Sequence, residues 1–340
     1  MLERLDSVRL VTGETMEVYL LIPPVGEWME RMISFTEHYS DQPRRDIIQR
    51  LRGDYAGACD DFYFLGLINE QVAGQVWYGY ARKSDGVANF GNVYTAPAHR
   101  KKGITGILMK YFSENFKKSE ARAAFCTCLS PWVVSIYAKH GFHPALPGTD
   151  CGPLMLSQKG VTTDFEQFCN EYYSVKPQEK LTVAQADIRQ RHSIDTLLKF
   201  YTKLNPEKSW PRIALASSIK NYQHALHLTE EGRGKLFAAV TDDARVVGWS
   251  FCLNPASELE RKTGVIDYEI HPNYTGFAPT LLMETVKASR ESFDFICAQL
   301  PSFAVAKCKA FIEAGFTEIS LLPQYGYYNE QNFDLKIFKI

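Results

Sequence analysis

Apolar residues fall at Ile104, Ile107, Leu108 and Tyr111, the i, i+3, i+4, i+7 spacing of one face of a helix. Upstream lies a short extended run, Val93-Tyr94-Thr95, then Pro97 and the basic loop His99-Arg100-Lys101-Lys102-Gly103. The pattern predicts a strand that feeds a loop and then the N-terminus of a helix. Before it, Phe62 to Ile68 and Val72 to Tyr80 read as two strands of a hairpin joined by Asn69-Glu70. After it, Arg122 to Leu129 reads as a buried strand, residues 130–142 as a helix, and Leu154 to Leu156 as a closing strand.

The N-terminal flank has an extended segment over 14–24, closed by Pro23-Pro24. A helix from Gly26 follows and carries Trp28, Met29, Met32, Ile33 and Phe35 inward; a second amphipathic helix runs from Arg44 to Leu51. Further on, a polar helix with Phe165, Phe168, Cys169 and Tyr172 leads to Val175-Lys-Pro-Gln-Glu-Lys180, a charged, proline-containing stretch that reads as a linker.

The loop at 99–106 is where chemistry is expected. A helix N-terminus presents unpaired N–H groups and partial positive charge, and Gly103 and Gly106 let an anion approach the backbone with no Cβ in the way. The physical expectation is a diphosphate cradle. A Walker loop is excluded by the missing Gly-Lys-Ser/Thr ending, and a dinucleotide fingerprint by the missing three spaced glycines.

Arg100-x-x-Gly103-x-Thr105, after a strand and a proline, resembles motif A of the GNAT N-acetyltransferase superfamily, Gln/Arg-x-x-Gly-x-Gly/Ala, with Thr105 departing at the last position. Residues 130–142 are similar to motif B, Asn-x-x-Ala-x-x-Leu-Tyr-x-x-x-Gly-Phe: Ile136, Tyr137, Gly141 and Phe142 fit, while Ser130 and Val133 replace Asn and Ala. The resemblance implies an α+β fold with a mixed, mostly antiparallel central sheet flanked by helices, and acetyl-CoA as the acyl donor. It implies backbone contacts to pantetheine at Tyr94 and Thr95, and a diphosphate held by Arg100, Lys101, Lys102, Gly103, Ile104, Thr105 and Gly106. Ser130 stands at motif B's Asn, and Tyr137 matches the family's general acid. The implied acceptor is an amine on a small molecule or a peptide.

Such an amine, with a pKa of ~10.4, costs roughly 4 to 5 kcal/mol to deprotonate at pH 7, so a base is expected. Asn89 stands where some family members place a Glu, and Asn cannot accept a proton. A water chain, Asp60, Asp61 or His99 are the alternatives. A non-catalytic CoA-binding or regulatory module is the rival interpretation, and an enzyme that draws on aminoacyl-tRNA is a second.

Three landmarks recur at one offset. Val72-Ala73-Gly74, Leu108-Met109 and Gly141-Phe142 return as Val246-Val247-Gly248, Leu282-Met283 and Gly315-Phe316, each 174 residues on. We therefore expect two tandem copies of one fold: 1–174, a linker at 175–180, and 181–340. In the second copy Tyr137 becomes Phe311, Ser130 becomes Ala304 and Arg100 becomes Tyr274; its loop is shorter, lacks basic residues and carries Pro279 at the helix start. The first copy is the expected catalyst and the second a degenerate, structural or substrate-shaping one.

Length and charge agree. A chain of 340 residues exceeds one usual core. A net charge of -1 gives no general attraction for nucleic acid or anionic membrane, which weighs against the tRNA rival. No run approaches the ~20 apolar residues of a membrane span, and the N-terminus has no apolar signal region. Eight cysteines without a Cys-x-x-Cys pair suit a reducing cytoplasm. Cys126 and Cys128 alternate in an apolar run and read as core thiols, and no metal is expected.

Overall fold

A computed structural model of the chain describes residues 1–145, 148–199, 222–254, 262–328 and 331–340. They divide into two units, Met1–Phe168 and Cys169–Ile340.

The first unit opens with β1 (Leu2–Arg9) and β2 (Thr15–Leu21). There follow a 3-10 turn, α1 (Met29–Phe35), α2 (Asp41–Arg52), β3 (Cys59–Ile68), β4 (Gln71–Ala81) and β5 (Val87–Thr95). After a 3-10 turn at Pro97–His99 come α3 (Ile104–Phe116), β6 (Ala123–Cys128), α4 (Pro131–Ala138), β7 (His143–Pro144) and β8 (Gly152–Ser157), and α5 (Phe165–Tyr172) leads on. The sheet runs β1-β2-β3-β4-β5-β6-β8-β7, antiparallel throughout except for β5 and β6.

Period-two alternation sorts β4 between two cores. Val76, Tyr78 and Tyr80 pack with Leu108, Met109, Phe112 and Phe116 of α3, whereas Trp77 packs with Met32, Ile47 and Leu51 of α1 and α2. Helices therefore cover both faces, and each buried large side chain of α3 contributes about 1.5–3 kcal/mol. Asn69 and Glu70, both at positive φ, make the two-residue turn between β3 and β4. Arg50, fully buried, pairs with Asp46 on its own helix at 3.1 Å and ties α2 to the sheet through Asp61 of β3 at 2.7 Å.

The parallel pair is brief. Only Val87, Ala88 and Asn89 of β5 pair with β6, so the rest of β5 runs on without a partner on that side. A bulge at Asn92 (φ 50°) bends β5 in this stretch, where its register against β4 slips by one residue. The two strands open like a V.

The second unit contains β9 (Leu181–Gln185), a 3-10 turn, a π-helical turn at Ser193–Leu198, α6 (Tyr222–Glu230), β10 (Gly234–Thr241), β11 (Val246–Leu253) and β12 (Thr263–Ile270). After a 3-10 turn at Pro272–Phe277 come α7 (Ala278–Ser289), β13 (Phe295–Pro301), α8 (Val305–Glu313), β14 (Thr317–Tyr328) and β15 (Gln331–Lys339). Its sheet runs β14-β15-β13-β12-β11-β10-β9, again with one parallel pair, β12 and β13, joined over three residues. From β2 to β8 the first unit has the same order, including the reversed last two strands. Ile104 and Ala278, the first residues of α3 and α7, stand 174 apart, as do Pro131 and Val305, the first residues of α4 and α8. The protein is thus α+β, with two tandem copies of one architecture.

One of the repeated landmarks has a physical reason. Gly141 and Gly315 end α4 and α8 at φ 92° and 90°. In each case the glycine N–H and the next residue's N–H donate back to the helix, Gly141 to Ala138 and Phe142 to Tyr137, Gly315 to Ile312 and Phe316 to Phe311. This is the Schellman closure, with its ring contact between Tyr137 and Phe142 or Phe311 and Phe316. The pair Leu108-Met109 repeats only in part: Leu282 is buried like Leu108, but Met283 is 54% exposed where Met109 is in the core. Residues 175–180, expected as a linker, fall in the second unit, where Glu179 pairs with the buried Arg245 and Lys176 with Asp243. Among the described residues no helix is long and apolar enough to cross a membrane.

Candidate functional site

The mouth of α3 is built from below. Ile104, 2% exposed, drops its side chain onto the sheet over Gly66 and Gly74; a Cβ on Gly74 would stand 2.8 Å from Ile104 Cγ2. That anchor holds the first turn against the sheet. Lys101 (φ 63°) and Gly103 (φ 83°) turn the loop, and no side chain caps the helix. Among the described residues no loop carbonyl or side chain accepts from the amides of Lys101 to Gly106. A Cβ on Gly103 or Gly106 would meet nothing within 4 Å, so the backbone there is open. Such a cluster of unengaged N–H groups at a helix start fits a diphosphate.

The flanking side chains differ in availability. Arg100 donates from Nε to the Thr95 carbonyl (3.2 Å), with its guanidinium 5.9 Å from the Tyr94 ring, so its Nη groups remain for an anion. Lys101 is exposed and has no partner among the described residues. Lys102 is held by Glu14 at 2.7 Å and is not free. Thr105, the departure from motif A, reaches Thr95 hydroxyl to hydroxyl at 3.1 Å, which ties the helix start to the strand end.

Tyr137 lies on α4, its ring edge-on to Phe90 at 5.3 Å and the residue 6% exposed. Among the described residues its hydroxyl has no hydrogen-bond partner. Burial chiefly, with Cys126, Cys128 and Tyr39 adding, pushes the phenol far above its usual range, so it stays protonated. Ser130 is the N-cap of α4, but its side chain caps nothing. Burial likewise raises the Cys126 thiol, and both Cys126 and Cys128 belong to the core.

The carboxylates considered from the sequence as bases are committed elsewhere. Asp61 accepts from Arg50 and from the Trp77 indole at 2.9 Å, and Asp60 pairs with Arg82 at 2.8 Å. Asn89 is buried, with its Oδ1 unpartnered; His99 Nδ1 is also buried and unpartnered. Sequence reasoning placed Phe35 only in the core and missed the wall it forms with His38 and Tyr39, just past α1: Phe35 and His38 meet Tyr94 at ring distances of 5.3 Å and 3.5 Å, and Tyr39 lies against His38. More than fifty residues separate these groups from Tyr94, and the only signal was an aromatic pair just past an amphipathic helix.

The family model of the acetyltransferase (GNAT) domain matches residues 60–144. No curated protein matches the chain in sequence. Among solved structures, a GNAT-family acetyltransferase from Streptococcus pneumoniae aligns over 47% of this chain and 99% of its own, at 14% identity and a TM-score of 0.40. A ribosomal-protein-alanine N-acetyltransferase from Brucella melitensis aligns over 47% and 98%, at 19% identity and 0.39. A spermidine N-acetyltransferase from Vibrio cholerae, in complex with CoA and spermine, aligns over 47% and 94%, at 18% and 0.35. The first of the two tandem units therefore carries, over residues 60–144, a domain of the GNAT acetyltransferase family.

Proposed function

We propose that the first unit binds acetyl-CoA and transfers its acetyl group to a primary amine, on a small molecule or a peptide, by direct attack on the thioester. The observation that carries this is the row of unengaged amides from Lys101 to Gly106 at the mouth of α3. The diphosphate rests on those amides with Arg100 and Lys101 as charge-assisted donors; Lys102 contributes at longer range because Glu14 holds it. Pantetheine follows the open edge of β5 at Tyr94 and Thr95, where β6 has parted from it. Ser130, at the start of α4, borders the same gap. Tyr137 supplies a proton to the departing sulfur. The match to the GNAT domain model supports acetyl transfer as the reaction class.

In this proposal the second unit is a scaffold. Its equivalent helix mouth is filled by its own chain: the His271 ring accepts from the Asn273 amide, Tyr173 stacks on His271 at 4.0 Å, and the Tyr274 hydroxyl donates to Glu179 at 2.9 Å. Past the paired stretch of β12 and β13, a buried ion pair joins Lys307 of α8 to Asp267 of β12. All eight cysteines are free thiols, which suits a cytoplasmic site of action.

Calorimetric titration with CoA, together with release of free CoA thiol in the presence of primary amines, tests the proposal. Micromolar binding and amine-dependent release are expected. No binding at millimolar CoA would refute it.

A further inference from the structure

Direct attack by an amine leaves one proton to be placed, since the amine arrives as an ammonium ion. The carboxylates considered for the task, Asp60 and Asp61, are held by arginines. One titratable ring stands free on the wall beside β5. His38 lies flat on the Tyr94 ring, 3.5 Å away and 13° from parallel. Its Nδ1 is 3.0 Å from the Phe35 carbonyl oxygen. A carbonyl can only accept, so Nδ1 carries the hydrogen, and in the neutral ring Nε2 holds the lone pair. Nothing in the described protein bonds to Nε2.

The groups around the imidazole keep it neutral. Burial first, and the Arg100 guanidinium second, hold it below its usual range, against the opposing hydrogen bond to Phe35. The phenols of Tyr94 on β5 and of Tyr39, whose ring is 4.0 Å away, are the other titratable neighbours. The stacking on Tyr94 places the imidazole beside the end of β5, where the pantetheine arm is proposed to run.

We propose that Nε2 of His38 is the general base that takes the proton from the incoming ammonium. The assignment rests on the acetyl-transfer proposal above. The ammonium gives one proton to Nε2, and the freed lone pair forms the N–C bond to the thioester carbonyl. The C–S bond breaks with its pair to sulfur, and the Tyr137 O–H protonates the sulfur. A second proton from the nitrogen restores the phenol, and the proton on His38 passes to solvent.

The test uses the full chain, with tyramine, spermidine and an alanyl peptide amide as probe amines, free CoA thiol as readout, and the best amine for the variants. In wild type, kcat at saturating amine should fall as pH drops through an inflection below ~6.5, the usual histidine value. His38→Gln should lower kcat at pH 7 by roughly 10²- to 10⁴-fold and abolish that inflection, while acetyl-CoA affinity measured by titration stays within about twofold. His38→Asn keeps an Nδ1-like donor to Phe35 and should behave the same, with added imidazole restoring part of the rate. A packing role alone would lower kcat at every pH with the inflection intact, and that result would overturn the assignment. Wild-type kcat in both variants would do the same while leaving acetyl transfer standing. Failure of every probe amine with wild type would count against the transfer itself and take His38 with it.

Discussion

Removing one oxygen atom from Tyr137 separates catalysis from folding. The Tyr137→Phe side chain keeps its contacts with Phe90 at 5.3 Å and Phe142 at 5.7 Å. Among the described residues the lost hydroxyl bonds to no protein group, so no partner is left unpaired there, and stability should move by no more than about 0.5 kcal/mol. The second unit makes the same point, since Phe311 fills the equivalent Schellman position at 0% exposure. Turnover should respond very differently. Positioned proton donors contribute 10²- to 10⁴-fold, or about 2.7 to 5.4 kcal/mol. Burial pushes this phenol above its ordinary 10, whereas a thiol such as that of CoA titrates near ~8.5, so full proton transfer from phenol to thiolate is uphill by at least about 2 kcal/mol. The phenol therefore acts first as a hydrogen-bond donor to sulfur as charge develops, its proton transfer being completed as the nitrogen's second proton restores it, and the loss should lie near the lower end, about 10²-fold in kcat. For the same reason kcat should show no alkaline fall from Tyr137 between pH 7 and 10. Thiol release, a CoA titration and a thermal melt on the same preparation measure the three quantities. A variant with wild-type kcat, or one that loses rate only in proportion to a lower melting temperature, would refute the reasoning.

Arg100→Ala should weaken acetyl-CoA binding about tenfold, as expected for one charge-assisted hydrogen bond, with kcat little changed at saturation; titration at two salt concentrations should show the difference shrink as ions screen it. Gly74→Ala places a Cβ 2.8 Å from Ile104 Cγ2 and 3.3 Å from the Tyr94 carbonyl, so it should cost about 1–3 kcal/mol in a denaturant melt and loosen CoA binding as the helix mouth shifts. In the second unit, Asp267→Asn strands the buried Lys307 ammonium and should cost about 3–5 kcal/mol, whereas the apolar double variant Asp267→Leu with Lys307→Met should recover most of it, as read from urea midpoints.

The strand-loop-helix around Gly103 and the hairpin before it were legible because local patterns carry them: period two in Val72 to Tyr80, 3.6 in Ile104 to Tyr111, and a two-residue turn between strands. The repeat was legible for a related reason, since Gly141 and Gly315 sit where a helix must end at positive φ and the next aromatic must fold back on it. What stayed hidden depends on contacts between segments distant in sequence. Nothing local says that Glu14 neutralises Lys102, that Arg50 occupies Asp61, or that His38 lies on Tyr94. Each of these pairs a residue with one eleven to eighty-eight positions away, and each decides which charged groups remain available for chemistry.

A parallel strand pair that parts after three residues leaves backbone groups and apolar surface that something must cover, and the two units meet this demand in different ways. In the second, the chain covers it: Lys307 on α8 reaches Asp267 on β12 just past the last paired residue, with its ammonium 5.1 Å from the Tyr268 ring, and Tyr173 and Tyr274 close the helix mouth. In the first, Val133 stands 174 positions before Lys307, and Gly91, paired with Trp77 as Asp267 is with Phe251, takes the place of Asp267; neither has a charge with which to close the gap, and the helix mouth is left to Gly103 and its neighbouring amides. An unpaired polar backbone is tolerated only where water or a ligand can reach it. On the proposed function the first unit's open gap receives a ligand, whereas in the second unit a buried ion pair stands beside the equivalent gap.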